Sequence, residues 1–304
     1  MLYRTITVPL ANLPLRRHGR YADSPITSRP PFAWPEGHGL AVYVALNLEQ
    51  YAFGEGLVED LVPGIPAPDV LNNSWREYGN RVGAWRLLEL FRLLQLPLSL
   101  LVNSALYETC APLLAAFRAH GVDVAAHGRT NSEHQADLSE EQERALIAEV
   151  TATIAAHEGT QPKGWLSPWI AETAVTPDLL AEAGYRYVLD WCMDDQPVWL
   201  ATRDGGRILS VPYPQELNDS AAIIGRHMSA RDFADMVIDQ FEEMRQQARE
   251  QPLVMGISLH AMIAGQPHRI RHLRRALAHI AAQRDTVWLT TTGAIAAHAA
   301  HHIA

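Results

Sequence analysis

The chain has 304 residues, 48% of them hydrophobic and 19% charged, with two cysteines and a net charge of −9. That length can bury a large core and suits one barrel-sized domain or two smaller ones. The acidic balance, without a basic block, excludes the electrostatic footprint of a nucleic-acid binder.

Cys110 and Cys192 form no CxxC pair and are too few for a disulfide framework. Met1 to Pro31 lacks an apolar signal core, and no run approaches the roughly 18 apolar residues of a membrane span. The expected setting is the cytoplasm and the expected partner a small molecule, with neither nucleic acid nor membrane.

In chain order, residues 1–31 read as a lead-in segment and 32–304 as one domain. Short apolar runs rich in β-formers predict strands at 40–48, 97–103, 122–127, 163–167, 185–191, 208–213, 253–260 and 286–291. Apolar residues at three- and four-residue steps predict helices at 80–95, 106–119, 139–157, 176–183, 229–249 and 267–283. Ser139 with Gln142 and Ser229 with Asp232 are helix-start signals, and Gly121 and Gly184 stand where helices should stop.

Strand–helix alternation repeated about seven times predicts an α/β fold, a distorted (β/α)7-type barrel in a single domain. The missing GxGxxG after the first strand argues against a dinucleotide-binding sheet. The alanine-rich helices and the tail AIAAHAAHHIA suggest homo-oligomer contacts.

Barrel chemistry lies at the carboxyl ends of the strands. There the first predicted strand carries Asn47 and Glu49, the third His127-Gly128, the fourth Trp169, the fifth Asp190-Trp191 and the seventh His260. Strand alternation sends Asn47 and Glu49 the same way. Glu49 could act as a general base on water, or merely cap a helix or pair with Arg81. His260 could protonate a leaving nitrogen, since an unperturbed imidazole has both charge states near neutrality. Asp190 could orient a histidine or bind substrate, and Trp169 and Trp191 could wall a pocket or simply pack.

Taken in order, the segments FAWPEGHGLAVYVALNLEQY, SWREYGNRVGAWRLLELF, AAHGRTNSEHQ, GWLSPWIAET, YRYVLDWCMDDQP and GISLHAMIAGQPHR resemble the polysaccharide deacetylase (NodB-homology) family. The resemblance is closest to its cytoplasmic branch of allantoinase-like and cyclic imide hydrolase-like enzymes. It implies a hydrolase of non-peptide carbon–nitrogen bonds, with Glu49, His127 and His260 as catalytic residues. Asn47, Asn131, Trp169, Asp190, Trp191, Glu77 and Arg81 would then bind substrate.

Metal-dependent members carry an aspartate pair after the first strand and an HxxxH motif. Here one carboxylate, Glu49, remains, and Asn131 stands where the second histidine would be. Carboxamides are poor zinc ligands. A divalent zinc-type metal, if bound, would draw on Glu49, His127 and His134. On a helix, however, His134 would lie about 10 Å along the axis from His127.

The first expectation is hydrolysis of a small cyclic amide of the allantoin, hydantoin or imide type. The alternatives are an N-deacetylase of an acetylated sugar or glycan and an inactive ligand-binding barrel.

Overall fold

The computed structural model describes residues 17–303, so the first half of the lead-in lies outside the described residues. Strand β1 (Leu40–Leu48) is buried along its whole length, as a continuous apolar run in a sheet covered on both faces should be. It is followed by β2 (Ser99–Val102), β3 (Asp123–Ala126), β4 (Gly164–Trp165), β5 (Tyr187–Val188), β6 (Val198–Ala201), β7 (Arg207–Ser210), β8 (Leu253–His260) and β9 (Trp288–Thr290). The sheet runs β6-β7-β5-β4-β3-β2-β1-β8, with β9 also on β1.

Every ladder is parallel except β6–β7. β8 pairs β1 from Leu40 to Asn47. The opposite edge is shared, with β9 on Ala41–Tyr43 and β2 on Ala45–Leu48. The chain after β7 nearly closes the curl, because Asn218 bridges Ser258 and the Ser258 N–H donates to the Leu217 carbonyl at 2.9 Å. The expected distorted β/α barrel is the observed fold.

Alternation along β1 divides the core in two. Ala41, Tyr43 and Ala45 face the barrel interior with Leu101, Ala125, Tyr187, Leu209 and Tyr213. Leu40, Val42, Val44, Leu46 and Leu48 face the surrounding helices. Small residues in the interior leave room for tyrosines, and Trp34 joins this inner cluster with its indole N–H on the Leu253 carbonyl at 2.9 Å.

The helices are α1 (Val70–Tyr78), α2 (Ala84–Leu94), α3 (Leu106–Thr109), α4 (Ala111–Arg118), α5 (Glu140–Glu158), α6 (Thr176–Glu182), α7 (Ala230–Gln247), α8 (Ala261–Ala264), α9 (Pro267–Ala281) and α10 (Thr292–His302). Ser139 and Gln142 form the expected capping box on α5, and Ser229 caps α7. The helix expected over 80–95 begins as a π turn at Gly79–Gly83, continuous with α1, and becomes α-helical only from Ala84; the one over 106–119 breaks at Cys110.

β6 is absent from the sequence reading. It pairs antiparallel with β7 across Thr202–Gly206, and a Gly-containing turn between apolar runs is a hairpin signal. One face of the tail suggested as an oligomer contact buries Ile295, Ala296 and Ala299 in the chain's own inner cluster. Among the described residues no helix is long and apolar enough to cross a membrane.

The interior tolerates little added volume. A Cβ on Gly164 would lie 2.0 Å from Tyr187 Cζ, and the Tyr187 hydroxyl is tied to Thr292 Oγ1 at 2.9 Å. Gly164→Ala is expected to lower unfolding free energy by about 1–3 kcal/mol, the usual cost of overpacking. An unchanged urea midpoint would contradict this packing.

Candidate active site

The alternation of β1 continues past its end, so Asn47, Glu49 and Tyr51 project in step. Asn47 pins β1 to β8, donating to Ser258 Oγ at 3.0 Å and the Leu259 carbonyl at 3.1 Å. Glu49 is 7% exposed. Its Oε2 accepts the Tyr51 hydroxyl at 2.6 Å, and its Oε1 accepts the Asn131 amide at 2.6 Å.

Two imidazoles face the same Oε1, His127 Nε2 at 3.6 Å and His260 Nε2 at 3.5 Å. The other nitrogen of each ring is fixed. His127 Nδ1 lies 2.8 Å from the Leu166 carbonyl; a carbonyl only accepts, so Nδ1 carries a proton. His260 Nδ1 lies 2.7 Å from Asp219 Oδ1, and the fully buried Asp219 also accepts the His260 backbone N–H at 3.0 Å.

Gly128 makes the return path between His127 and Asn131. Its φ of +64° lies in the left-handed region, and a Cβ there would meet Pro168 Cγ at 2.6 Å. Past this turn the Asn131 N–H donates to the Gln50 carbonyl at 2.9 Å. Asn103 locks the turn from below. Its amide donates to the His127 carbonyl and to Asn131 Oδ1, and its oxygen accepts the Gln50 N–H at 2.8 Å.

These groups surround a cavity of about 170 Å³ at the carboxyl ends of the strands, lined by Asn47, Glu49, His127, Asn131, Trp169 and His260 among the expected residues. Trp169 sits in a strained turn at φ +62° and anchors its indole N–H on the Asn131 carbonyl at 2.7 Å.

The remaining expected residues stand elsewhere. Asp190 lies behind the wall, accepting the Ser167 N–H at 2.8 Å and hydroxyl at 2.6 Å. Trp191 packs edge-on against His18 and Tyr21. Glu77 and Arg81 are exposed. Helical phase explains the miss: positions 77 and 81 share the solvent face, while Arg76 and Asn80, one residue earlier, face inward. Asn80 donates to the Glu49 carbonyl at 2.8 Å, and the Arg76 guanidinium lies 5.2 Å from the centre of the Tyr51 ring.

His134 pairs with Asp137 at 2.9 Å, its side chain 36% exposed, and does not line the cavity. Tyr51, Glu59, Asn103 and Asp219 went unrecognised in the sequence. Only Tyr51 had a signal there, as the next alternate residue after Glu49.

Electrostatics favour a charged pair. Burial by itself would raise the Glu49 carboxyl, but the His260 charge, with His127 and the Tyr51 hydroxyl, brings it below its ordinary value. Burial opposes charge on His260 too, yet Glu49 and Asp219 push it up to about 9. Behind the wall, burial and the adjacent Asp190 charge raise the Glu172 carboxyl above its ordinary value.

A metal does not suit this donor set. Both Glu49 oxygens already accept hydrogen bonds, position 131 turns a carboxamide N–H toward the carboxylate, and His134 points elsewhere. Among the described residues no group of three or more His, Cys, Asp or Glu is arranged to hold a metal ion.

No protein-family model matches the chain. A Schizosaccharomyces pombe protein whose name assigns it to the polysaccharide deacetylases is 25% identical over 306 residues, covering 90% of this chain and 93% of that protein. The crystal structure of a probable polysaccharide deacetylase from Pseudomonas aeruginosa PAO1 is similar at TM-score 0.81 and 26% identity, over 91% of this chain and 96% of that one. These likenesses support a place beside the polysaccharide deacetylases (NodB-like), and together with the next one they make the chain a hydrolase of carbon–nitrogen bonds other than peptide bonds. Within that class the chain is also similar to the crystal structure of PuuE allantoinase, at TM-score 0.81 and 26% identity over 95% of this chain and 98% of that one.

The raised His260 value has a consequence for stability. A group whose folded pKa exceeds its unfolded one stabilises fully below the unfolded value, here about 6.5, and loses that contribution as pH rises through about 9. The unfolding free energy of the native chain minus that of His260→Gln is expected to fall between pH 6.5 and 9. Parallel pH profiles for the two proteins would refute the buried ion pair.

Proposed function

We propose that the protein opens small cyclic amides, rings of the ureide, hydantoin or imide type, by adding water across a ring C–N bond. The observation that carries this reading is the meeting of His127 and His260 on one oxygen of a buried, ionised Glu49, at 3.6 and 3.5 Å. Three further features support a ring over a glycan. The cavity, about 170 Å³, falls below the roughly 300–1,000 Å³ of ordinary ligand pockets. Trp169 and the loop after β1 wall it in, and the chain is similar to an allantoinase over nearly its full length.

In this mechanism Glu49 takes a proton from water as the oxygen attacks the ring carbonyl carbon. His127, which in this mechanism carries a proton on each ring nitrogen, keeps Nδ1–H on the Leu166 carbonyl and turns Nε2–H to the carbonyl oxygen, steadying its developing charge. As the C–N bond breaks, its electron pair stays on nitrogen, which takes the proton from His260 Nε2. The proton on Glu49 then returns to His260 across their 3.5 Å separation, restoring both groups. Asn131 acts through Glu49: its amide donates to that carboxylate at 2.6 Å, so it positions the base.

Glu49→Gln and His260→Gln are each expected to lower kcat on an opened ring by about 10²–10⁴-fold, the usual range for a lost general base or acid. Asn131→Ala should cost less, about tenfold, since the base remains. Turnover of a panel of hydantoins, imides and allantoin, beside N-acetylglucosamine oligomers, tests the substrate class. Exclusive turnover of the sugars would sink it. Because the donor set does not suit a metal, exhaustive dialysis against chelator should leave ring opening within about twofold of the untreated enzyme.

A further inference from the structure

The loop after β1 brings a second carboxylate, Glu59, into the cavity wall. Several bonds fix the segment that carries it. The Leu57 N–H donates to the Ser132 carbonyl at 3.0 Å, Arg76 Nη1 donates to the Glu59 carbonyl at 2.8 Å, and Asn72 holds both backbone groups of Val62 at 3.0 Å. The Ser220 hydroxyl lies 2.8 and 3.0 Å from the two Glu59 oxygens. A hydroxyl brings one proton and a carboxylate offers about four lone-pair sites, so Glu59 keeps acceptor capacity facing the cavity.

The contrast with Glu49 is chemical. Glu49 has a separate donor on each oxygen and two imidazoles beside it, whereas Glu59 shares the single Ser220 hydroxyl. No lysine or arginine lines the cavity among the described residues, and burial raises the Glu59 carboxyl above its ordinary value. A rigid, incompletely satisfied acceptor in a small site selects a ligand that brings a donor. It also repels rings that carry a carboxylate or phosphate.

We infer that Glu59 is a specificity-determining residue whose carboxylate accepts a ring N–H other than the one at the bond that breaks. This rests on the proposed ring-opening function and deepens it. The site takes neutral cyclic ureides, which carry N–H on both sides of a ring carbonyl, ahead of plain imides, whose single ring N–H is the leaving nitrogen. Leaving a buried charged acceptor unmatched costs about tenfold to a hundredfold in binding.

The test compares three rings by calorimetric binding and by turnover: hydantoin, 1-methylhydantoin, in which the second N–H is blocked, and succinimide, which lacks it without added bulk. The native chain is expected to bind hydantoin at least about tenfold more tightly than either of the others. Glu59→Leu should reduce that preference below about threefold, and Ser220→Ala, which leaves the carboxylate but frees it to swing, should narrow it.

Equal binding of the three rings by the native chain overturns the assignment, as does an undiminished preference in a folded Glu59→Leu protein. If Glu59→Leu does not fold, the native comparison and Ser220→Ala still decide. Selective binding without turnover would remove the hydrolase reading and leave the Glu59 assignment standing. Turnover without selectivity would do the reverse, and a chain that binds none of the rings would remove both.

Discussion

A carboxylate taken out of water costs several kcal/mol unless its lone pairs find protons and its charge a partner. Glu49 is such a group, and much of the surrounding architecture satisfies it. Tyr51 and Asn131 each donate to one oxygen, and two imidazoles stand within 3.6 Å. The same requirement propagates outward: Asn103 holds Asn131, Leu166 holds His127, and Asp219 holds His260. The bonds that make burial of Glu49 tolerable are also the ones that aim each reactive atom.

The barrel makes this arrangement possible by separating two tasks along one strand. Residues of β1 that point to the helices are uniformly aliphatic and anchor it, while those that point inward change from Ala and Tyr to Asn and Glu as the strand nears the mouth. The site therefore stands on a buried strand, with β8 paired beside it along eight residues. Loops supply what the strands cannot: Asn131 after a left-handed glycine, Trp169 in a strained turn, and Glu59 from the segment tied down by Arg76 and Asn72.

Where sequence reasoning missed, the cause was specific. The turn between β6 and β7 was visible as Gly-containing chain between apolar runs, but the short VWLA segment had no periodicity of its own. Glu77 and Arg81 were chosen over Arg76 and Asn80 because one residue of helical phase separates solvent from barrel. That phase depends on how α1 and the π turn seat against the sheet. Asn131 lay where expected, but its amide is committed to Glu49, and a carboxamide in a sequence does not declare its partner.

Local periodicity alone determined the barrel class and the strand ends that bear Glu49, His127 and His260, because alternation and helical repeat are properties of neighbouring residues. The missing second histidine was visible only against the HxxxH motif of the family the chain resembles. Which groups touch was decided by the tertiary structure: Asp219 meets His260 across 41 residues and Asn131 meets Glu49 across 82. Contacts over such separations depend on how the whole sheet curls, and so do the protonation states they set. No short window of chain contains that information.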